Sequence, residues 1–294
     1  MILGLMMMAA LQGATQPPLP VARRAPAKQP ARVAVPAKPA RMAVPAKRTG
    51  TAARVVIDAG HGGVDPGAPM TTRAAMREKD ITLQIALRVG ESLKRRGIEV
   101  VYTRKKDTAI ALADRGRMAN QAGGDVFISI HVNAANQGWR NPGAVRGFET
   151  YFLAEAKTED ARRVEAMENE ALRFEAPRSA DSGDPLGFIL KDMEQNQYLR
   201  ESADFAGIVQ RRLAQVHPGP DRGVKQAGFH VLVTALMPAI LVEVGFGTNA
   251  SEAAYLSNPV RQQALARVIA DATSEYLERY QRRVGSSGNA GSHD

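Results

Sequence analysis

The chain has 294 residues, a formal net charge of +9 and no cysteine. Without cysteine there is no disulfide, thiolate metal site or cysteine nucleophile, so any metal must be held by histidine and carboxylate side chains. The positive charge is concentrated near the N-terminus. Residues 1–53 carry eight basic residues and no acidic one, whereas residues 54–294 carry 31 basic and 30 acidic residues. A nucleic-acid-binding domain would carry its basic patch on the fold, so a nucleic-acid partner is not expected.

Two segments precede the predicted domain. Residues 1–14, MILGLMMMAALQGA, form an apolar run of signal-peptide length that is too short to span a bilayer. They predict export to the periplasm or cell envelope and no transmembrane anchor; the alternative is a disordered apolar terminus. Residues 15–53 are rich in proline, alanine, lysine and arginine and predict a disordered linker. This linker is either attracted to an anionic envelope surface or simply solvated.

A glycine-rich turn with one histidine follows the first predicted strand, in RVVIDAGHGGVDPG at 54–67. The β-branched run before the glycines predicts a strand that ends near Asp58, which places His61 at its carboxyl end. Ligands collect at that end of the strands in open α/β sheets. The alternative is a turn histidine that hydrogen-bonds its own loop.

A second histidine, His131, ends the apolar strand DVFISIHVNA at 125–134, which suits a central position in a sheet. Glu78 lies where a loop meets the start of a predicted helix. Two histidines at strand ends and this carboxylate are the components of a zinc site. In the strand AILVEV, Glu243 interrupts an apolar run, where an ionised carboxylate is costly unless it is paired. The alternative for Glu243 is a strand-end residue that reaches solvent or a salt bridge.

The remaining pattern predicts one α/β domain over residues 54–283, with a mostly parallel or mixed sheet of about six strands flanked by helices. A disordered tail, 284–294, contains His293 and is given no role. The other predicted strands are 98–103, 147–153 (a possible edge strand), 229–233 and 239–244. The predicted helices are 81–97, 112–124, 158–174, a region closing at 213, and 258–283.

Six segments together closely resemble the zinc-dependent N-acetylmuramoyl-L-alanine amidases of the third amidase family, which act on bacterial cell walls. They are IDAGHGGVDPGA, REKDITLQIA, TRKKD with LADRGRMAN, DVFISIHVNA, GVKQAGFHVL and PAILVEVGFGTN. The resemblance covers about residues 54–281, with the motifs in the family's order. Ala59 stands where the family usually has proline.

The resemblance implies Zn²⁺ bound by His61, Glu78 and His131, with Glu243 as the catalytic carboxylate. It implies hydrolysis of the amide between the N-acetylmuramoyl lactyl group and L-alanine of peptidoglycan, in wall remodelling or daughter-cell separation. Two alternatives are a zinc peptidase that acts on stem peptides and a catalytically silent peptidoglycan-binding module. Asp58 is a candidate for fixing a histidine tautomer.

The helical tract at 158–187 is longer than the family's minimal domain. Some family members that act in daughter-cell separation have a helix here that covers the site and offers an acidic side chain to the zinc. We therefore expect a lid, with Glu165, Glu168 or Glu170 as the inhibitory residue and a protein activator that relieves it. The alternative is a surface insertion without a regulatory role. His230 is expected to be structural.

Overall fold

The computed structural model describes residues 52–71, 76–175 and 198–288. Within these residues, six strands form one mixed sheet in the order β2-β1-β3-β6-β4-β5. The strands are β1 (Arg54–Ala59), β2 (Glu99–Tyr102), β3 (Val126–Asn133), β4 (Phe148–Leu153), β5 (Asp221–Ala227) and β6 (Ala239–Phe246). The predicted α/β class and single sheet are confirmed.

The sheet register brings three polar residues into one row. β1, β2, β3 and β6 run parallel, and β4 is antiparallel to β6. His131 of β3 lies opposite Glu243 of β6, and Glu243 lies opposite Glu149 of β4. Directly opposed residues share a face of the sheet, so these three side chains lie on the same face. The possible edge strand β4 is internal, because β5 pairs with its other side.

Seven helices cover the two faces of the sheet in the described residues. They are α1 (Glu78–Lys94), α2 (Leu112–Gln121), α3 (Glu159–Asn169), α4 (Tyr198–Leu213), α5 (His230–Val233), α6 (Ala250–Leu256) and α7 (Pro259–Gly288). One apolar core joins the sheet to α1, α4 and α7, and a second core joins it to α2, α3 and α5. None of the described helices is both long and apolar enough to cross a membrane.

The predicted strand at 229–233 is wrong. Residues His230–Val233 form the single helical turn α5, whose three apolar side chains are buried. The sixth strand is instead β5, Asp221–Ala227, which has few large apolar residues and no clean alternation. β-branched residues favour a strand locally, but at this point the tertiary packing places the apolar side chains in the second core, with α2 and α3.

Two helices near the C-terminal end of the described residues also differ from the predictions. The short helix α6 follows the GFGTN turn and was not predicted; the Asn249 side chain caps its first turn by accepting hydrogen bonds from Ser251 and Glu252. The last helix ends at Gly288, beyond the predicted end at Arg283. The signal-like segment, the linker, residues 176–187 of the predicted lid and residues 289–294 lie outside the described residues.

Candidate active site

The backbone of the His61 turn lies very close to β3. His61 has a backbone φ of 60°, in the left-handed region that residues other than glycine rarely adopt. Its neighbour Gly60 lies against the His131 ring, where an added Cβ would come within 2.5 Å of ring atoms. Glycine is therefore required there. The two histidine rings lie edge to face, with their centroids 4.9 Å apart.

Glu78 is the first residue of α1, and two backbone groups from other parts of the chain fix the orientation of its carboxylate. Its carboxylate accepts hydrogen bonds from the backbone N–H of Val132 (2.8 Å) and of Ala68 (2.7 Å). A Cβ at Gly67 would lie 2.6 Å from this carboxylate, so the loop backbone passes directly over it. Glu78 is completely buried. Its side chain consequently has one orientation, towards the two histidines.

Four side chains converge on one buried point. His61 Nε2 lies 3.1 Å from Glu78 Oε1 and 3.1 Å from Glu168 Oε2. His131 Nδ1 lies 2.7 Å from Glu168 Oε2 and 3.4 Å from Glu78 Oε1. One ligand atom from each residue lies within 4.8 Å of the others. In the part of the chain that the structure describes, this is the group able to hold a metal ion.

The arrangement of these atoms fits a cation better than it fits hydrogen bonding. His61 Nε2, both ring nitrogens of His131 and both oxygens of Glu168 are buried, and none has a hydrogen-bond partner among the described residues. The short distances between the histidine nitrogens and the carboxylate oxygens therefore do not have the angles of hydrogen bonds. A tetrahedral ion with bonds of about 2.0–2.1 Å separates its ligand atoms by roughly 3.3 Å, close to the observed contacts. Histidine nitrogen and carboxylate oxygen form a donor set that divalent ions such as zinc accept.

The charges in the cluster also require positive charge at this point. Burial lowers the pKa of His131, but the Glu168 and Glu78 carboxylates together outweigh it and raise that pKa to about 10. Burial likewise lowers the pKa of His61, and the charges of Glu78 and Glu168 raise it well above its ordinary value. Two buried carboxylates thus require compensating positive charge, which protons on the imidazoles or a divalent cation can supply.

Glu243 lies beside the cluster without a partner of its own. It is completely buried, and neither carboxylate oxygen has a hydrogen-bond partner within the described residues. Burial, and next the charge of Glu168, raise its pKa well above the ordinary value for glutamate. A carboxyl group with a strongly raised pKa in a functional cluster is suited to proton transfer.

Comparison with known proteins identifies this combination of fold and site. A family model described as N-acetylmuramoyl-L-alanine amidase matches residues 55–275. N-acetylmuramoyl-L-alanine amidase AmiA of Escherichia coli is 32% identical over 242 residues, which cover 82% of this chain and 81% of the relative.

The chain belongs to the N-acetylmuramoyl-L-alanine amidase family. The structure of a family member from Clostridium difficile 630 has 31% identity and a TM-score of 0.57, and the match covers 77% of this chain and 97% of that one. AmiC2 of Nostoc punctiforme is similar at 29% identity and a TM-score of 0.55, over 77% and 97% of the two chains. The protein is therefore an enzyme of the amidase class.

In this amidase the structure brings together His61, Glu78, His131 and Glu243, the four residues singled out from the sequence. Asp58 does not contact either histidine by hydrogen bond. Its carboxylate instead accepts from Thr103, Ser129 and Arg115. The carboxylate that contacts His61 is Asp65, whose Oδ2 lies 2.8 Å from His61 Nδ1. Asp65 was missed, although its position four residues after His61 in the glycine turn was a usable signal.

The three acidic candidates on the amidase's α3 region have separate positions. Glu168 enters the cluster, as described above. Glu165 accepts a hydrogen bond from the backbone N–H of Gly228 (2.9 Å) and so ties α3 to the β5–α5 loop. Glu170 is exposed and pairs with Arg173. Of the three, only Glu168 has the position expected of an inhibitory residue.

Arg115 supports the active-site turn of the amidase from behind, a role that the sequence did not reveal. Its guanidinium pairs with Asp58 (2.9 Å) and donates to the carbonyl oxygens of Ala59 and His61. All of these groups are buried. The position of His61 therefore depends on a buried ion pair beneath it.

Replacing Arg115 by methionine is expected to lower the free energy of unfolding by about 3–5 kcal/mol, because it leaves Asp58 as a buried charge without its cation. Urea unfolding of the full chain measures this. Arg117→Met is the matched control, since Arg117 is exposed and, among the described residues, pairs with Asp114; we expect it to cost about 0.5 kcal/mol or less. Equal effects of the two substitutions would contradict the structural role.

Proposed function

We propose that this protein hydrolyses the amide bond between the N-acetylmuramoyl lactyl group and L-alanine of peptidoglycan, with zinc held by His61, Glu78 and His131. The observation that carries the proposal is the convergence of these three side chains with Glu243 in one buried site. Membership of the amidase family supports the choice of bond.

The residues divide the chemistry between them. A bound zinc ion would polarise the scissile carbonyl and lower the pKa of water in its open coordination position. Glu243 accepts the proton of the attacking water on a carboxylate oxygen and then donates it to the departing L-alanine nitrogen. Asp65 accepts a hydrogen bond from His61 Nδ1, which holds the tautomer in which Nε2 faces the cluster.

The described conformation corresponds, in this proposal, to an inhibited enzyme. Glu168 occupies the side of the cluster that substrate and water would need, since it contacts both histidines. The helix that carries it is anchored by Glu165 and by Asn169, whose side chain donates to the Gly228 carbonyl and accepts from the His230 N–H. Activity then requires that α3 move away, which a protein activator would promote.

The proposed setting is the cell envelope. The apolar segment 1–14 supports export, with action in the periplasm or on the wall during remodelling or daughter-cell separation. The near-neutral charge of residues 54–294 supports a substrate other than nucleic acid.

Removing the metal tests the proposal. Prolonged dialysis of the Glu168→Ala variant against a chelator is expected to remove one equivalent of zinc per chain and abolish dye release from labelled sacculi, and added zinc should restore it. Loss of a metal present at a thousandfold excess over its Kd would also lower stability by about 4 kcal/mol. Full activity with no metal detected would contradict the zinc assignment.

Muropeptide analysis of the same digests separates the alternatives. The proposed amidase releases intact stem peptides from the glycan. A stem-peptide peptidase would release shortened peptides and leave L-alanine attached to the glycan, and a silent binding module would release nothing. Either of those results would overturn the proposed bond specificity.

A further inference from the structure

A second charged cluster lies next to the candidate active site and has no part in the proposed hydrolysis. Its centre is Glu149, which is completely buried. One carboxylate oxygen accepts hydrogen bonds from the Asn133 side chain (2.6 Å) and the Tyr151 hydroxyl (2.8 Å). The other oxygen accepts from Arg222 Nε (3.0 Å) and from Lys225 Nζ. The two cations belong to the edge strand β5.

The same two cations also bind a carboxylate from the lid helix. Asp160 Oδ2 on α3 lies 2.9 Å from a terminal nitrogen of Arg222 and 2.6 Å from Lys225 Nζ. Burial opposes ionisation of Asp160, but Lys225 and Arg222 outweigh it and lower its pKa to about 2. Asp160 is therefore an anion near neutral pH. Arg222 and Lys225 are 25% and 17% exposed, so they lie at the surface beneath α3.

Movement of α3 changes the balance of charge at this point. If α3 moved away, Glu149 would stay, because it is part of β4, whereas Asp160 would leave with the helix that carries Glu168. Two cations then share one carboxylate, beside the opened active site. Such a pair can bind a further anion, and arginine with lysine is well suited to a carboxylate.

We propose that Arg222 and Lys225 bind a free carboxylate of the peptidoglycan stem peptide, and that Asp160 holds that position while the lid is closed. This rests on the proposed amidase function. Release of the lid would then uncover the metal cluster and a substrate-binding subsite together.

The spacing selects the second residue of the stem. His131, Glu243 and Glu149 lie opposite one another on three adjacent strands. Strands are about 4.8 Å apart, so Glu149 lies roughly 10 Å from the His131 strand. Arg222 and Lys225 start one strand further out, on β5, and their side chains reach back to the Glu149 carboxylate. An extended peptide spans about 3.3–3.6 Å per residue, which places a carboxylate on the residue after L-alanine about 7 Å from the scissile bond.

Two synthetic N-acetylmuramoyl tripeptides test this. In both, glutamate follows L-alanine and is joined to the third residue through its side-chain carboxyl group, and the two differ only in whether the α-carboxyl of this glutamate is a free carboxylate or a carboxamide. The full-length Glu168→Ala variant is the parent enzyme. We expect it to prefer the carboxylate substrate by roughly tenfold or more in kcat/KM, as for loss of a hydrogen bond to a charged group. Adding Lys225→Gln to the parent should remove most of this preference by raising KM for the carboxylate substrate. The kcat/KM for the carboxamide substrate should change by about twofold or less.

Two further variants control for charge and for structure. Lys225→Arg should keep the preference. Lys94→Gln, which removes a surface ammonium on α1 that pairs with Glu91, should leave both substrates unchanged. The subsite proposal would be overturned if the parent enzyme cleaved both substrates equally, or if Lys225→Gln lowered the activity on both substrates equally. Neither result would contradict the amidase function. Failure of the parent to cleave either substrate would contradict the amidase function and the subsite with it.

Discussion

Replacing Glu168 by alanine is expected to raise peptidoglycan hydrolysis by at least about tenfold. The Glu168 carboxylate is the group that joins α3 to His61 and His131, at 3.1 Å and 2.7 Å. Removing one partner of a buried charged contact costs about 3–5 kcal/mol, so losing the Glu168 carboxylate shifts the lid towards opening by a factor of ten or more. Dye release from labelled sacculi measures the rate.

Glu170→Ala is the matched control for this experiment. Glu170 has the same charge and lies directly after the same helix, but it is exposed and pairs with Arg173. We expect its activity to equal that of the unaltered protein. If Glu168→Ala keeps its zinc and remains as inactive as the unaltered protein, Glu168 is not the inhibitory residue, and residues 158–187 become an insertion without a regulatory role.

Replacing Glu243 by glutamine is expected to lower kcat by about 10²–10⁴-fold, the range for loss of a general acid–base group. The substitution is made in the Glu168→Ala parent, so that a closed lid does not mask the effect. Glutamine keeps the shape of the side chain but cannot take the proton from water. Zinc content, measured by elemental analysis, should remain one per chain, because Glu243 is not among the proposed ligands.

The stability of the Glu243→Gln variant distinguishes a chemical role from a structural one. Glu243 is buried and neither oxygen has a hydrogen-bond partner among the described residues, so neutralising it removes no hydrogen bond. The urea midpoint should therefore be unchanged or higher. Hydrolysis at the parental rate would exclude Glu243 as the proton carrier, and loss of zinc would reassign it to the metal.

Tertiary packing, and not the local secondary-structure preference of the residues, decided the structure where the hydrophobic pattern of the sequence was weakest. The β-branched residues at 229–233 favour a strand but form the helical turn α5, while the polar segment Asp221–Ala227 forms an edge strand because its backbone pairs with β4. On α3, Glu165 and Glu168 are three residues apart on similar faces of the helix. Their different roles depend on which loop or ring lies opposite each of them.

The sequence by itself determined the apolar strands β1, β3 and β6, the glycine turn and the placement of His61 and His131 at strand ends, because these follow from local propensity and spacing. Only the tertiary structure decided that Glu243 lies opposite His131, that Asp65 and Arg115 hold the His61 turn, and that Glu168 enters the cluster. The physical reason is that these contacts depend on strand register and helix docking. Both join residues that are distant in the chain, and no local pattern specifies them.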